Sequence, residues 1–151
     1  MCFDTFKKIH WQNVSLSALI FAVIAFVLWQ VSSLLSMSSY TDPDYLGVWS
    51  KLMMPEAGPP PWSFMVISFV FSFITGLVLA SLWDALKNFL PKEFWAKVLT
   101  YVDIIAALML VMFVLPMILM INFPMMLLFT MFITWIIIVF LGSLVFAKLL
   151  K

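Results

Sequence analysis

Four long apolar stretches, separated by short polar ones, fill most of the chain. They run over about 14–37, 62–83, 98–121 and 124–147. Each meets the ~20 predominantly apolar residues that a helix needs to cross a bilayer. The runs are continuous and do not alternate with polar residues, as the strands of a membrane barrel would. The pattern predicts an all-α integral membrane fold: a four-transmembrane-helix bundle in a single membrane domain, 1–151. An outer loop falls over 38–61 and an inner loop over 84–97.

The polar stretches carry their own signals. In YTDPDYLGVWSKLMM, Asp42 suits a helix cap and Pro43 a first turn. Tyr45, Trp49, Leu52 and Met53 then share one face at helical spacing, which predicts a short interfacial helix in the first outer loop. EAGPPPW follows as a stiff extended strut into the second span. In LWDALKNFLPKEFWAK the second span is expected to run about one turn past the membrane and to break before Pro91. The last connection is only INFP, so the third and fourth spans should form a tight antiparallel hairpin. Pro124 is expected in the first turn of the fourth span, and Pro116 is expected to kink the third.

Composition agrees with the pattern. The chain is 66% hydrophobic and 10% charged, against about 45–50% and about 25% in soluble domains. The net charge is +1 and there is no Arg, so nothing points to nucleic acid. Cys2 is the single cysteine and His10 the single histidine. An intrachain disulfide is therefore excluded, and the chain lacks the several Cys or His ligands of an ordinary zinc site. Haem or iron–sulfur ligation from within the chain is disfavoured for the same reason. A Ser–His–Asp triad would have to recruit His10, and no Gly-rich phosphate loop, HExxH or GxSxG motif occurs. The expectation is a protein with no enzymatic activity and no cofactor.

Lysine placement sets the orientation. Lys7 and Lys8 precede the first span, Lys87, Lys92 and Lys97 lie between the second and third, and Lys148 and Lys151 follow the fourth. The outer loop has only Lys51, against Asp42, Asp44 and Glu56. The positive-inside rule then puts both termini in the cytoplasm. Trp62 and Trp83 bracket the second span about 31 Å apart, close to the hydrocarbon thickness. Trp11 and Trp95 fall at the inner boundary as anchors, while Trp29 and Trp135 lie within spans as packing residues. The first apolar stretch exceeds the ~7–15 residues of a signal-peptide core, so it is expected to remain as an uncleaved signal anchor. Cys2 is either an idle thiol or a site of reversible acylation.

Residues 68–84 read SFVFSFITGLVLASLWD, with Ser68, Ser72, Gly76 and Ala80 every fourth position. Residues four apart share a helix face, and small ones let another backbone approach closely. This stripe is expected to be a helix-packing face within the chain, with Ala18, Ala22 and Ala25 of the first span as its natural partner. Contact with another chain is the alternative. Asp84 is expected to be solvated or paired at the inner end of its span. Asp103 lies about 9 Å beyond Lys97 along a regular helix; it is either a shallow acid bonded to Thr100, Tyr101 or another helix, or part of an ion path. Gln30, Thr130 and Thr134 are the other polar groups at depth, expected as interhelical bonds. Met37, Met53, Met54, Met65, Met117, Met120, Met125 and Met126 gather toward the outer side. They are apolar filler, an adaptable partner surface, or, for Met117, Met120, Met125 and Met126, a Cu(I) thioether set.

The segment 62–148 resembles a loose class of small four-span inner-membrane proteins of bacteria and archaea. The likeness is carried by GLVLASLWDALKNFLP, Lys97, Pro116, Asn122 and Pro124, then Trp135, Gly142 and Lys148. Members of that class often have glycines where the third span begins; this chain has Thr100, Val102 and Asp103. The resemblance implies a four-span fold in a prokaryotic cytoplasmic (inner) membrane and no particular activity. The expected role is a structural or accessory membrane protein in the lipid bilayer, forming a homo-oligomer or docking on a protein partner. A small ion or solute carrier using Asp103 is the alternative, and a membrane enzyme comes third.

Overall fold

The computed structural model describes residues 10–40, 42–43, 62–120 and 124–150. They form α1 (Trp11–Leu35), a short α2 (Met37–Tyr40), α3 (Trp62–Leu86), α4 (Phe94–Met109), a π-helical segment (Leu110–Val114), α5 (Leu115–Met120) and α6 (Met125–Leu149). There is no strand among the described residues. Four helical stretches are long and apolar enough to cross a membrane: Trp11–Leu35, Trp62–Leu86, Phe94–Met120 and Met125–Leu149. The expected interfacial helix over Tyr45 to Met53 lies outside the described residues, as do Lys7, Lys8, Lys51, Lys151, Cys2 and Asn122.

The helices overrun the apolar stretches at the lysine end, through Trp11, Gln12 and Asn13 in α1 and through Phe94, Trp95 and Lys97 in α4. The backbone ladder continues there because it needs no apolar side chains once nucleated. After α3 the chain turns at Lys87, Asn88 and Phe89 and reaches Pro91 through a bend at Leu90. Pro124 stands one position earlier than expected, at the cap of α6 and not within its first turn. Its carbonyl accepts the first bond of the ladder from Leu128 N–H at 3.0 Å.

At Pro116, where a kink is expected, the helix changes form. Proline has no N–H and its ring crowds the carbonyl four residues back, here that of Met112. The chain widens into a π-helical turn immediately upstream, and the Leu115 N–H bonds the Leu110 carbonyl five residues back. The longer loop of backbone makes room for the ring while the rod continues into α5.

α1 is the central helix. It packs along both α3 and α6, and α6 also packs along α4. Around the bundle the order is α3, α1, α6, α4. α3 and α4 do not pack along their length; they meet near the lysine end through Trp83 and Tyr101. Small residues put α1 in this position, since Ser17, Ala18, Ala22 and Ala25 are all buried on it. Lipid tails are as apolar as any core, so membrane helices associate through close packing and polar bonds and not through escape from water. The main core fills the lysine half, around Phe21, Trp83, Tyr101, Ile138 and Phe146. A smaller cluster of Val114, Leu127 and Leu128, flanked by Tyr40 and Met117, fills the far half.

Candidate functional site

Four aromatic rings, one from each long helix, form a chain through the lysine half. Phe21 of α1 stacks on Phe146 of α6 with centroids 6.0 Å apart. Phe146 meets Trp83 of α3 at 6.3 Å. Trp83 meets Tyr101 of α4 edge-on at 5.0 Å. The Tyr101 hydroxyl donates to the Leu79 carbonyl of α3 at 2.6 Å. That bond satisfies a polar group that would otherwise be buried unpaired.

Two glycines make room for the first ring. A Cβ on Gly76 would stand 3.0 Å from Phe21 Cδ1 and 2.9 Å from the Ala18 carbonyl oxygen. A Cβ on Gly142 would overlap Phe21 Cδ2 and lie 2.9 Å from Cε2. Phe21 is fully buried between them. Gly76 of the small stripe thus faces Ala18 and Phe21 of α1, and Ala80, one turn on, is buried. Ser68 and Ser72, nearer the other end, are half-buried, and Ser72 Oγ donates to the Ser68 carbonyl of its own helix at 2.9 Å, not across to another. Gly142 belongs to no periodic run of small residues. Its signal was its solitude: it is the one glycine in α6, where glycine costs roughly 1 kcal/mol relative to alanine, so a close contact was the physical reason to look for.

Trp83, expected to bracket its span with Trp62, turns inward. It is 1% exposed, whereas Trp62 at the other end of α3 is 81% exposed. Trp83 follows Gly76 and Ala80 by seven and three residues, which puts it on the stripe's own face. Trp11 and Trp95 are exposed near the lysine end. Trp29 and Trp135 pack edge-on against each other at 5.9 Å, joining α1 to α6.

The deeper polar groups mostly tie helices. Thr134 Oγ1 lies 2.8 Å from the Thr130 carbonyl and 3.0 Å from Ser32 Oγ of α1. With one hydrogen to give, Thr134 donates to the carbonyl and accepts from Ser32. Gln30 Nε2 donates to Met65 Sδ across α1 and α3 at 3.3 Å. Thr130 donates within its own helix, to the Met126 carbonyl. Ser17 Oγ is buried without a partner, so its fit at the centre is one of size.

At the lysine end, Asp84 pairs with Lys87 at 2.8 Å. Lys87 Nζ also lies 3.3 Å from the Leu150 carbonyl just past α6, where a cation suits the unsatisfied carbonyls of a helix C-terminus. His10, Asn13 and Lys148 complete the rim of a shallow, open depression of about 240 Å³. Lys87 thus fastens the ends of α3 and α6 together. Among the described residues no group of three or more His, Cys, Asp or Glu side chains is placed to hold a metal ion.

Asp103 stands on the outward face of α4, while Val98, Tyr101 and Val102 are buried on the opposite side. Neither Thr100 nor Tyr101 bonds it, contrary to expectation, because Tyr101 points inward to Leu79. The methionines do not share one environment. Met117 packs on the far cluster, whereas Met37, Met120, Met125 and Met126 are exposed, and Met53 and Met54 lie outside the described residues. Tyr40, beyond the end of α1, sits against the same cluster, and burial pushes its phenol pKa up.

No protein-family model, curated protein or solved structure matches this chain. The resemblance over 62–148 therefore rests on its sequence motifs alone.

Proposed function

We propose that this chain is a non-enzymatic structural or accessory protein of a prokaryotic cytoplasmic membrane, with both termini inside. It acts by self-association or as a subunit of a larger membrane complex. The observation that carries this reading is the ring chain Phe21–Phe146–Trp83–Tyr101, locked by Gly76 and Gly142. It fills the middle of the lysine half with packed aromatic side chains drawn from all four helices, as a rigid scaffold requires. The carrier alternative gains no support from Asp103, because that side chain faces outward and a path through the interior of one copy would not touch it.

Reconstitution tests the reading. Purified protein in liposomes should leave proton and monovalent-cation leak within about twofold of protein-free liposomes, with and without Asp103→Asn. A reproducible flux that Asp103→Asn abolishes would promote the carrier.

The orientation has its own check. In a Cys2→Ser chain, a cysteine at Thr41 should react with an impermeant thiol reagent applied to intact cells. One at Asn88 should react only after the membrane is opened. The reverse pattern would reject cytoplasmic termini.

A further inference from the structure

The unpaired carboxylate on the outside of α4 calls for an explanation. Ionisable groups within membrane helices nearly always face a bundle interior or a water-filled cavity, or pair with one another or with backbone carbonyls. Asp103 faces away from the interior, and it makes no bond or ion pair among the described residues. It lies nine residues into a helical stretch that is otherwise apolar beyond it.

A cation with matching geometry stands on the same helix. Lys97 and Asp103 are six residues apart, so on a regular helix they differ by about 9 Å in height and about 120° in direction. That separation is too wide for them to pair with each other, and they do not. Thr100 lies midway between them in both senses. Ala107, seven residues further on, falls within about 20° of Thr100 and is exposed. α4 thus presents a narrow seam of Thr100 and Ala107, with a cation on one flank and an anion on the other. The Thr100 hydroxyl makes no bond of its own either.

We propose that this face of α4 is a two-fold interface with a second copy of the chain, held by reciprocal Lys97–Asp103 ion pairs. The two-fold axis would run along the membrane normal, so that both copies keep one topology. A rotation of 180° about that axis brings the cation flank of one helix to the anion flank of the other, twice. The Asp103 Cβ tilts back toward the lysine end; the Lys97 Cβ tilts the same way, so its four-methylene stem has to fold forward along the helix to cover the height difference. Thr100 and Ala107 are small, and Ile104, exposed between them and within about 40° of Thr100, supplies apolar contact at the seam. Charge complementarity selects a second copy as the occupant, because the chain supplies both members of each pair at the required spacing. The inference rests on the self-association part of the reading above and names its surface.

The test uses full-length Cys2→Ser, Asn88→Cys protein, labelled with donor or acceptor fluorophore and mixed in liposomes over a range of protein-to-lipid ratios. The parent should show energy transfer that falls on dilution in lipid. Asp103→Lys and Lys97→Asp should each weaken self-association at least tenfold. The double exchange Lys97→Asp/Asp103→Lys should return it to within about threefold of the parent. Helical content should be unchanged throughout, since Asp103 is exposed and Lys97 is only partly buried. A dimer indifferent to both single changes, or one that the double exchange fails to rescue, overturns this interface but leaves self-association standing. A parent that is monomeric at every density overturns self-association itself; Asp103 then faces a lipid headgroup or a basic helix of another protein.

Discussion

Gly142→Leu should collapse the packing of the lysine half. The branched side chain has to enter the space held by the Phe21 ring, where even a Cβ overlaps Cδ2. Phe21 has little room to swing aside: its other edge faces Gly76, where a Cβ would stand 3.0 Å from Cδ1, and Phe146 stacks on its face. Overpacking a filled core typically costs about 1–3 kcal/mol, occasionally more. A leucine in place of no side chain at all belongs at the upper end of that range or beyond. Gly142→Ala is the milder form. Its gain of roughly 1 kcal/mol in helix propensity opposes the overlap, so its net loss should be smaller than that of Gly142→Leu. Thermal unfolding in a mild detergent, followed by circular dichroism, should rank the parent above Gly142→Ala and that above Gly142→Leu. Phe21→Leu combined with Gly142→Ala should be less damaging than the sum of the two changes, with a coupling of about 0.5–3 kcal/mol. Strict additivity would mean that the glycine and the ring do not compete for one space.

Trp83→Ala should cost about 3–5 kcal/mol, the range for truncating a buried large aromatic residue. Trp62→Ala should change stability by less than about 1 kcal/mol. Both tryptophans end the same helix, yet one is 1% and the other 81% exposed. Removing Trp83 deletes the link between Phe146 and Tyr101 and leaves α3 and α4 without their ring contact. The Tyr101–Leu79 bond would remain as the direct tie between them at that level. The loss should therefore appear as early melting of α4 against the rest, read as faster hydrogen exchange over 98–109 than over 14–25. Equal exchange in both segments, or equal destabilisation by the two substitutions, would contradict the role given to the ring chain.

The sequence by itself determined the all-helical fold and its four helices long and apolar enough to cross a membrane. The physical reason is local: a backbone in lipid must satisfy its own hydrogen bonds, and an unbroken apolar run of sufficient length can do so only as a helix. Gly76 was also legible, because a fourfold spacing of small residues has one clear use on a helix. The direction in which each helix turns was not. These helices are apolar nearly all round, and lipid rewards an outward Phe as readily as an inward one. Hydrophobicity therefore carries little information about faces. Only the tertiary structure could decide that Trp83 turns inward while Trp62 turns out, that Gly142 receives the edge of Phe21, and that Asp103 faces away from its own bundle. Each of those outcomes depends on shape at the contact between helices, where a ring either finds a glycine opposite it or does not. That complementarity joins residues as distant in sequence as Phe21 and Gly142.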